Sequence, residues 1–160
     1  MLLQTPRVIK GWKHPDCFNM PEGVYRDNSF GRRFMSHEDS PFRDEAFAAF
    51  GIAETIREPQ FQNFIGNHYL DGACTHTHKD SAPYGLVHAR CNWMVKKPPS
   101  GGDPILDGVV APVEEGDLWL CLASLELHGS TPIAGGERLI QSFGALVPIA
   151  ALSHILKEQP

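Results

Sequence analysis

Three side chains that can bind a metal ion alternate along one short stretch of the chain, THTHKD at residues 75–80. They are His76, His78 and Asp80, and residues two apart in a strand project from the same face. Two ligands do not hold a catalytic metal, so a third has to come from elsewhere. His128 is the best candidate, because it ends the apolar run DLWLCLASLEL and is followed at once by a glycine, where a strand meets a turn.

Two imidazoles and one carboxylate on one face of an octahedral ion leave three positions open, which is the arrangement of non-haem Fe(II) oxygenases. An H-x-D pair by itself is a frequent chance pattern. Arg138 strengthens the interpretation, because it follows His128 by ten residues on the next strand-like run. A buried arginine binds a carboxylate through two parallel hydrogen bonds and remains charged at any working pH.

The elements that would position these residues are short strands that begin near Gln60. Apolar runs of strand length alternate with glycine- and proline-rich turns such as PPSGGDP and IAGGE. The strand-like runs are FQNFIGNHYL, HARCNWMVKK, DLWLCLASLELHG and RLIQSFGALVP. Several antiparallel strands behind one helix favour a jelly-roll or a sandwich, packed by an N-terminal layer.

The N-terminal layer is predicted to contain one helix, from Pro41 to about Glu58. Ser40 is a candidate N-cap, Pro41 suits the first helical turn, and Pro59 prevents the helix from continuing. Four residues at helical spacing are expected to form its buried stripe: Phe47, Phe50, Ala53 and Ile56. Residues 11–39 are predicted to be irregular, and either to cover a barrel mouth or to wrap the core.

The 160 residues are most simply one domain, long enough to bury a core without staples. We expect residues 1–59 to provide the cover and the support helix, and residues 60–150 to form the jelly-roll core. The composition, with 14 Lys and Arg, 19 Asp and Glu and a net charge of -5, contains no basic stripe, so nucleic acid is not expected as a partner. The oligomeric state is left open.

The four cysteines are widely spaced, without a C-x-x-C pair, and are expected to be reduced thiols. The N-terminal apolar run stops at Gln4 and Pro6, too soon for a signal peptide, and no later segment approaches the length of a membrane span. These features predict a cytoplasmic protein that does not interact with a membrane.

Four segments between about Asn67 and Pro148 follow one another in an ordered series: NHYLDGACTHTHKD, ARCNWMVKKPPSGGDPIL, VEEGD and HGSTPIAGGER. They contain an H-x-D pair, a strand ending in a GG turn, a Gly-Asp turn, His-Gly, a proline and a basic residue ten positions after the histidine. In this order the sequence resembles the Fe(II)- and 2-oxoglutarate-dependent dioxygenases, in particular their prolyl 4-hydroxylase-like branch. The combination is specific, although its separate pieces are not.

The resemblance implies a mainly β fold, the double-stranded β-helix or cupin-like jelly-roll, with N-terminal helical support. It implies that His78, Asp80 and His128 are the iron ligands and catalytic residues, and that Arg138 binds the distal carboxylate of 2-oxoglutarate. The implied activity is hydroxylation of an unactivated C–H bond, coupled to the conversion of 2-oxoglutarate and O2 to succinate and CO2. Ascorbate is a candidate reductant for the Fe(II).

The substrate is not implied by the resemblance, because collagen-type prolyl hydroxylases usually have lysine where Arg138 stands. A small molecule, an amino acid and a prolyl residue of a peptide or protein all remain candidates. Loops such as residues 11–39 and 81–88 are expected to determine which of them binds.

Four further residues have roles that depend on where their side chains point. Tyr69 matches an aromatic residue that helps to bind the co-substrate in relatives, or it fills the core. Arg90 and Asn92 share one face of their strand. If they point inward they contact substrate and co-substrate respectively, and if they point outward they are solvated. Ser142 is expected to point the same way as Arg138 and to support the bound carboxylate.

His76 shares a strand face with His78 and so permits a second arrangement, the H-x-H pair of cupin metal sites. No cupin-like glutamate follows it, so we expect His76 either behind the metal ligands, in contact with one of them, or at the pocket rim, where it would contact substrate. The alternative functions are a cupin-like metal-dependent isomerase that uses both histidines, and a non-catalytic jelly-roll binding protein. The remaining histidines are expected on the surface or in packing: His14, His37, His68 and His88.

Overall fold

A computed structural model of the chain describes residues 7–19, 24–28, 31–36, 40–61 and 64–156. The strands are β1 (Arg7–Ile9), β2 (Val24–Asn28), β3 (Gly31–Ser36), β4 (Phe64–Tyr69), β5 (Leu86–Lys96), β6 (Pro104–Leu106), β7 (Val109–Val110), β8 (Leu118–Cys121), β9 (His128–Ser130) and β10 (Arg138–Pro148). The helices are α1 (Arg43–Ala49) and α2 (Ser153–Leu156), with 3-10 turns at Pro15–Cys17, Pro59–Phe61 and Ile149–Leu152. No described helix is long and apolar enough to cross a membrane.

The strands form two antiparallel sheets with a cavity between them. The larger sheet has seven strands in the order β1-β8-β5-β10-β4-β3-β2, and the smaller sheet has three in the order β7-β6-β9. Strands of both sheets line the cavity, which has a volume of about 500 Å³. The mainly β jelly-roll predicted from the sequence is therefore confirmed.

The central strands β5 and β10 have two different faces, because successive side chains of a strand point to opposite sides. On one face Trp93 of β5 and Phe143 of β10 are completely buried, in a core that includes residues of α1. Trp93 makes edge-to-face contacts with Trp12 and Phe18, with ring centroids 5.9 and 6.1 Å apart. Full burial of one such side chain contributes about 1.5–3 kcal/mol. The other face of both strands lines the cavity.

Helix α1 ends at Ala49, well before the predicted position. Gly51 has a left-handed backbone with a φ of 71°. Its amide donates to the carbonyl of Ala48 at 2.9 Å, and the amide of Ile52 donates to the carbonyl of Phe47 at 3.0 Å. This pair of bonds is the Schellman motif, which ends many helices at a glycine. The prediction of a longer helix is wrong because the glycine stops it.

The predicted buried stripe of this helix is accordingly only partly correct. Phe47 is buried and Phe50 half-buried, but Ala53 and Ile56 are exposed. Ile56 instead forms an antiparallel bridge with Leu146 of β10, through backbone hydrogen bonds of 2.7 and 3.0 Å. The chain after the helix therefore adds to the sheet.

Part of the segment predicted to be irregular, residues 11–39, is a β-hairpin. Strands β2 and β3 pair with each other, and β3 pairs with β4, so the hairpin extends the larger sheet. Gly31 has a φ of 136°, and a Cβ at this position would lie 2.1 Å from the carbonyl oxygen of His68, so the pairing requires glycine. The larger sheet thus takes β1, β2 and β3 from residues that were expected to be cover.

Candidate metal centre

His78, Asp80 and His128 come together at the wall of the cavity, with their potential ligand atoms all within 4.8 Å of one another. Nε2 of His78 lies 3.5 Å from Oδ1 of Asp80, and Nε2 of His128 lies 4.0 Å from the same oxygen. Within the described part of the chain, no other group of three His, Cys, Asp or Glu residues is placed closely enough to hold a metal ion. The predicted grouping is observed, and metal binding itself stays a prediction.

An antiparallel backbone bridge sets the spacing of the two imidazoles. The amide of His78 donates to the carbonyl of His128 at 3.0 Å, and the amide of His128 donates back at 2.9 Å. Gly129 permits this close approach, because a Cβ at this position would lie 2.8 Å from the carbonyl oxygen of Thr75. The glycine that follows His128 in the sequence therefore has a structural reason.

Both imidazoles present Nε2 to the carboxylate because Nδ1 is engaged by the backbone. Nδ1 of His78 lies 2.7 Å from the carbonyl oxygen of His76, and Nδ1 of His128 lies 3.2 Å from that of Glu126. A carbonyl only accepts, so Nδ1 carries the hydrogen and Nε2 keeps a free lone pair. Histidines that bind metals are usually oriented in this way.

The electrostatic surroundings favour the protonation states that bind a metal. Burial raises the pKa of the Asp80 carboxyl, but the close contact with His88 and the charges of His88, His128 and Arg90 outweigh it, so its pKa is lowered. Burial lowers the pKa of His128, and the neighbouring His78 lowers it further, against a backbone hydrogen bond and Asp80, which raise it. An ionised carboxylate and a neutral imidazole are the forms that bind a divalent ion.

Arg138 lies in the same cavity, at the start of β10, and is almost completely buried. Its NH1 group donates to the carbonyl of Gly102 at 2.9 Å, whereas its Nε has no hydrogen-bond partner. Burial lowers the pKa of Arg138 to about 10, so the guanidinium is charged at neutral pH. Asp103 is nearby but pairs with Lys97 at 3.1 Å, and no described carboxylate forms an ion pair with Arg138.

The four residues of uncertain direction all line the cavity. Arg90 and Asn92 therefore point inward on β5, and Tyr69 has its ring 5.4 Å from the guanidinium carbon of Arg138. Ser142 accepts a hydrogen bond of 2.8 Å from Nε of Arg90. Its hydroxyl hydrogen remains available to a ligand, so its predicted role beside a carboxylate bound by Arg138 stays a prediction.

His76 does not line the cavity, and its side chain is exposed. Its contribution is the backbone carbonyl that orients His78. The predicted contact of His76 with substrate stays a prediction. Of the other histidines, His14 is exposed and His68 contacts Glu137, both outside the cavity, while His37 lies outside the described residues.

His88 is the site residue that the sequence reasoning missed. It was expected on the surface or in packing, but its side chain is only 7% exposed, and its Nδ1 lies 3.0 Å from Oδ2 of Asp80. The signal was present in the alternation of β5, because His88 lies two residues before Arg90 and therefore on the same strand face.

No protein-family model and no curated protein matches the sequence. The fold is similar to that of the viral collagen prolyl hydroxylase vCPH from Paramecium Bursaria Chlorella virus-1, solved as a 2OG complex. The identity is 17% and the TM-score 0.52, over 72% of this chain and 77% of the viral protein. This likeness shows that the two proteins share a jelly-roll fold.

Two more distant similarities are to an RmlC-like cupin protein from Desulfovibrio desulfuricans and to a salicylate 1,2-dioxygenase from Pseudaminobacter salicylatoxidans. The cupin protein is 17% identical, with a TM-score of 0.37 over 56% of this chain and 78% of its own. The dioxygenase is 15% identical, with a TM-score of 0.37 over 59% of this chain and 22% of its own.

Proposed function

We propose that this protein is an Fe(II)- and 2-oxoglutarate-dependent dioxygenase that hydroxylates an unactivated C–H bond, with release of succinate and CO2. The observation that carries the proposal is the presence, in one cavity, of the group His78, Asp80 and His128 and of a buried arginine without an acidic partner among the described residues. The viral prolyl hydroxylase with a similar fold was solved with 2OG, which is in keeping with this function.

The residues of the metal group fit Fe(II). Two imidazole nitrogens and one carboxylate oxygen are the donor set of the non-haem iron oxygenases, and the backbone carbonyls behind both imidazoles hold them in the ligating form. His78, Asp80 and His128 would hold the iron. Bound iron would supply the activation of O2 that is coupled to decarboxylation of the co-substrate.

Arg138 is suited to bind the distal carboxylate of 2-oxoglutarate. A buried charge without a counter-ion costs several kcal/mol, so an anionic ligand that pairs with the guanidinium removes an unfavourable term. The free Nε offers a donor to that ligand, while NH1 is anchored on Gly102. Tyr69 covers one face of the guanidinium and restricts where the ligand can lie.

The cavity also has the size and lining expected for a small substrate beside a co-substrate. Its volume of about 500 Å³ falls in the usual range for small-molecule sites. Leu106, Trp119 and Ile140 contribute apolar surface that excludes water, and Arg90 and Asn92 contribute polar groups. A small molecule, an amino acid or a single prolyl side chain of a peptide would fit this description.

The decisive test is an anaerobic titration of the metal-free protein with Fe(II) and then with 2-oxoglutarate. We expect the weak visible charge-transfer band of the iron–co-substrate complex to appear only when both are present, and succinate to form in air only with both. An Asp80→Ala variant serves as the matched control without the band. Absence of the band and of 2-oxoglutarate-dependent succinate in the unaltered protein would leave an isomerase or a binding protein as the better explanation.

A further inference from the structure

The two oxygens of the Asp80 carboxylate have different neighbours. Oδ1 lies 3.5 Å from Nε2 of His78 and 4.0 Å from Nε2 of His128, so it faces the point that both imidazoles share. Oδ2 lies 3.0 Å from Nδ1 of His88, whose side chain is almost completely buried. One oxygen is therefore directed at the metal position, and the other is directed at a neighbouring imidazole.

The surroundings of His88 determine which ring nitrogen carries the hydrogen. NH1 of Arg90 lies 3.4 Å from Nε2 of His88 and also donates to the carbonyl of Phe61, while Nε of Arg90 donates to Ser142. Arginine only donates hydrogen bonds, so Nε2 of His88 accepts and Nδ1 carries the hydrogen. That hydrogen is on the side of the ring next to Asp80, with Nδ1 3.0 Å from Oδ2, although the angle does not yet make a hydrogen bond. The ring of Phe61 packs against the imidazole, with centroids 5.1 Å apart, and helps to fix its orientation.

We infer that His88 is a positioning residue, whose Nδ1 group, already 3.0 Å from Oδ2 of Asp80, donates to that oxygen when the metal is bound and so leaves only Oδ1 for the metal. The inference rests on the proposed function. A carboxylate that binds through one oxygen uses one coordination position, whereas a carboxylate that turns to bind through both oxygens uses two. A facial group of two histidines and one carboxylate has to leave three positions open. By holding Oδ2, His88 protects the third open position.

The same contacts argue against a direct role of His88 in substrate binding. Both of its ring nitrogens face protein groups, Asp80 on one side and Arg90 on the other. Its backbone is also fixed, since its amide donates to the hydroxyl of Ser124 at 3.0 Å. Because protein groups lie against both nitrogens of the ring, a substrate has no open side from which to reach either of them.

The test compares His88→Leu with His88→Asn, using Co(II) titration of the metal-free protein. Leucine removes the donor, whereas the side-chain amide of asparagine lies near the position of Nδ1 and can still donate to Asp80. We expect the leucine variant to bind Co(II) about 10- to 100-fold more weakly, which is the usual effect of removing a partner of a metal ligand. The asparagine variant should recover most of the affinity.

Control variants use a second histidine that contacts an acidic side chain outside the cavity. His68 contacts Glu137 and is partly buried, so His68→Leu and His68→Asn make the same chemical changes on strand β4. Neither should change Co(II) affinity. Circular dichroism and thermal unfolding of all four metal-free variants establish that each one is folded before it is titrated.

The outcomes separate this inference from the proposed function. If the unaltered protein binds Co(II) and His88→Leu binds it equally well, His88 has no positioning role, and the proposed function stands. If His88→Asn is as weak as His88→Leu, the effect does not pass through the Nδ1 donor, and the inference is overturned. If the unaltered protein binds neither Co(II) nor Fe(II), the proposed function fails and the inference fails with it.

Discussion

The two faces of strands β5 and β10 carry opposite chemistry on neighbouring residues. On one face Trp93 and Phe143 are fully buried among apolar side chains. On the other face Arg90, Ser142 and Arg138 line the cavity with polar groups. Because side chains alternate between the two faces, a substitution at one residue affects the packing of the core, whereas a substitution at the next residue affects the cavity. Stability and site are thus separated by side of the sheet and not by region of the sequence.

The largest effect on the cavity side is expected for Asp80→Ala. Without the carboxylate only two imidazoles remain to hold the metal ion. Because the metal stabilises the transition state by several kcal/mol, its loss should lower the rate of coupled succinate formation by at least about 100-fold. The measurement is succinate release with Fe(II), 2-oxoglutarate and a stimulating substrate. Glu45→Ala, at an exposed ion pair with Lys13, is the control and should retain activity. Substantial residual hydroxylation in Asp80→Ala would contradict its role as a ligand.

Arg138→Ala should affect the co-substrate and not the metal. Breaking a buried charge pair costs about 3–5 kcal/mol, which corresponds to an increase of about 100-fold or more in the apparent KM for 2-oxoglutarate. Arg138→Lys keeps the charge but loses the two parallel hydrogen bonds, so its increase should be smaller. Co(II) affinity should stay the same in both variants. An unchanged KM in Arg138→Ala would reject the assignment.

The adjacent residues Ser142 and Phe143 test the separation of the two faces directly. Phe143→Ala opens a cavity in the core and should lower the free energy of unfolding by about 3–5 kcal/mol, with Co(II) affinity unchanged. Ser142→Ala removes the acceptor for Arg90 and should cost about 1–3 kcal/mol. Urea unfolding measures the free energy of unfolding of each variant, and Co(II) titration measures its affinity for the metal. Equal destabilisation by both substitutions would show that the faces are not energetically distinct.

The smallest expected effect is on the pH dependence of stability. The pKa of His128 is lowered from its ordinary value of 6.5, mainly by burial. As the pH falls, the unfolded chain therefore binds a proton at this residue at a higher pH than the folded chain does. The metal-free protein should therefore lose stability as the pH falls through 6.5, and His128→Gln should reduce this loss. Thermal unfolding between pH 5 and 8 measures it. The exposed His14 supplies the control, His14→Gln, and identical profiles for His128→Gln and the unaltered protein would contradict the expectation.

Sequence reasoning located the metal group because its members are marked by local patterns. His78 and Asp80 alternate in a short stretch, and His128 stands where an apolar run meets a glycine. Arg138 was found by its spacing from His128. The burial of Arg138, and its lack of an acidic partner among the described residues, could not be predicted, because they depend on how β10 packs against the turn at Gly102.

The parts of the prediction that were wrong have identifiable physical causes. The predicted helix is too long because Pro59 is the strongest stop signal in the sequence, whereas Gly51 comes first and has the left-handed backbone of a helix end. The strands of residues 24–36 were missed because the segment mixes charged, polar and aromatic residues without a clear apolar alternation. His88 was missed because its partner Asp80 lies on another element. The absence of a nucleic-acid partner and the cytoplasmic location stay predictions.

The geometry of the metal group depends on the missing side chain of Gly129. The backbone segments that carry His78 and His128 can pair only because residue 129 has no Cβ. In any other residue the Cβ would lie 2.8 Å from the carbonyl oxygen of Thr75. A methyl group there would push the two backbone segments apart, although none of the three ligand residues would be changed. The distance between the two imidazoles is thus controlled by a residue that would not contact the ion.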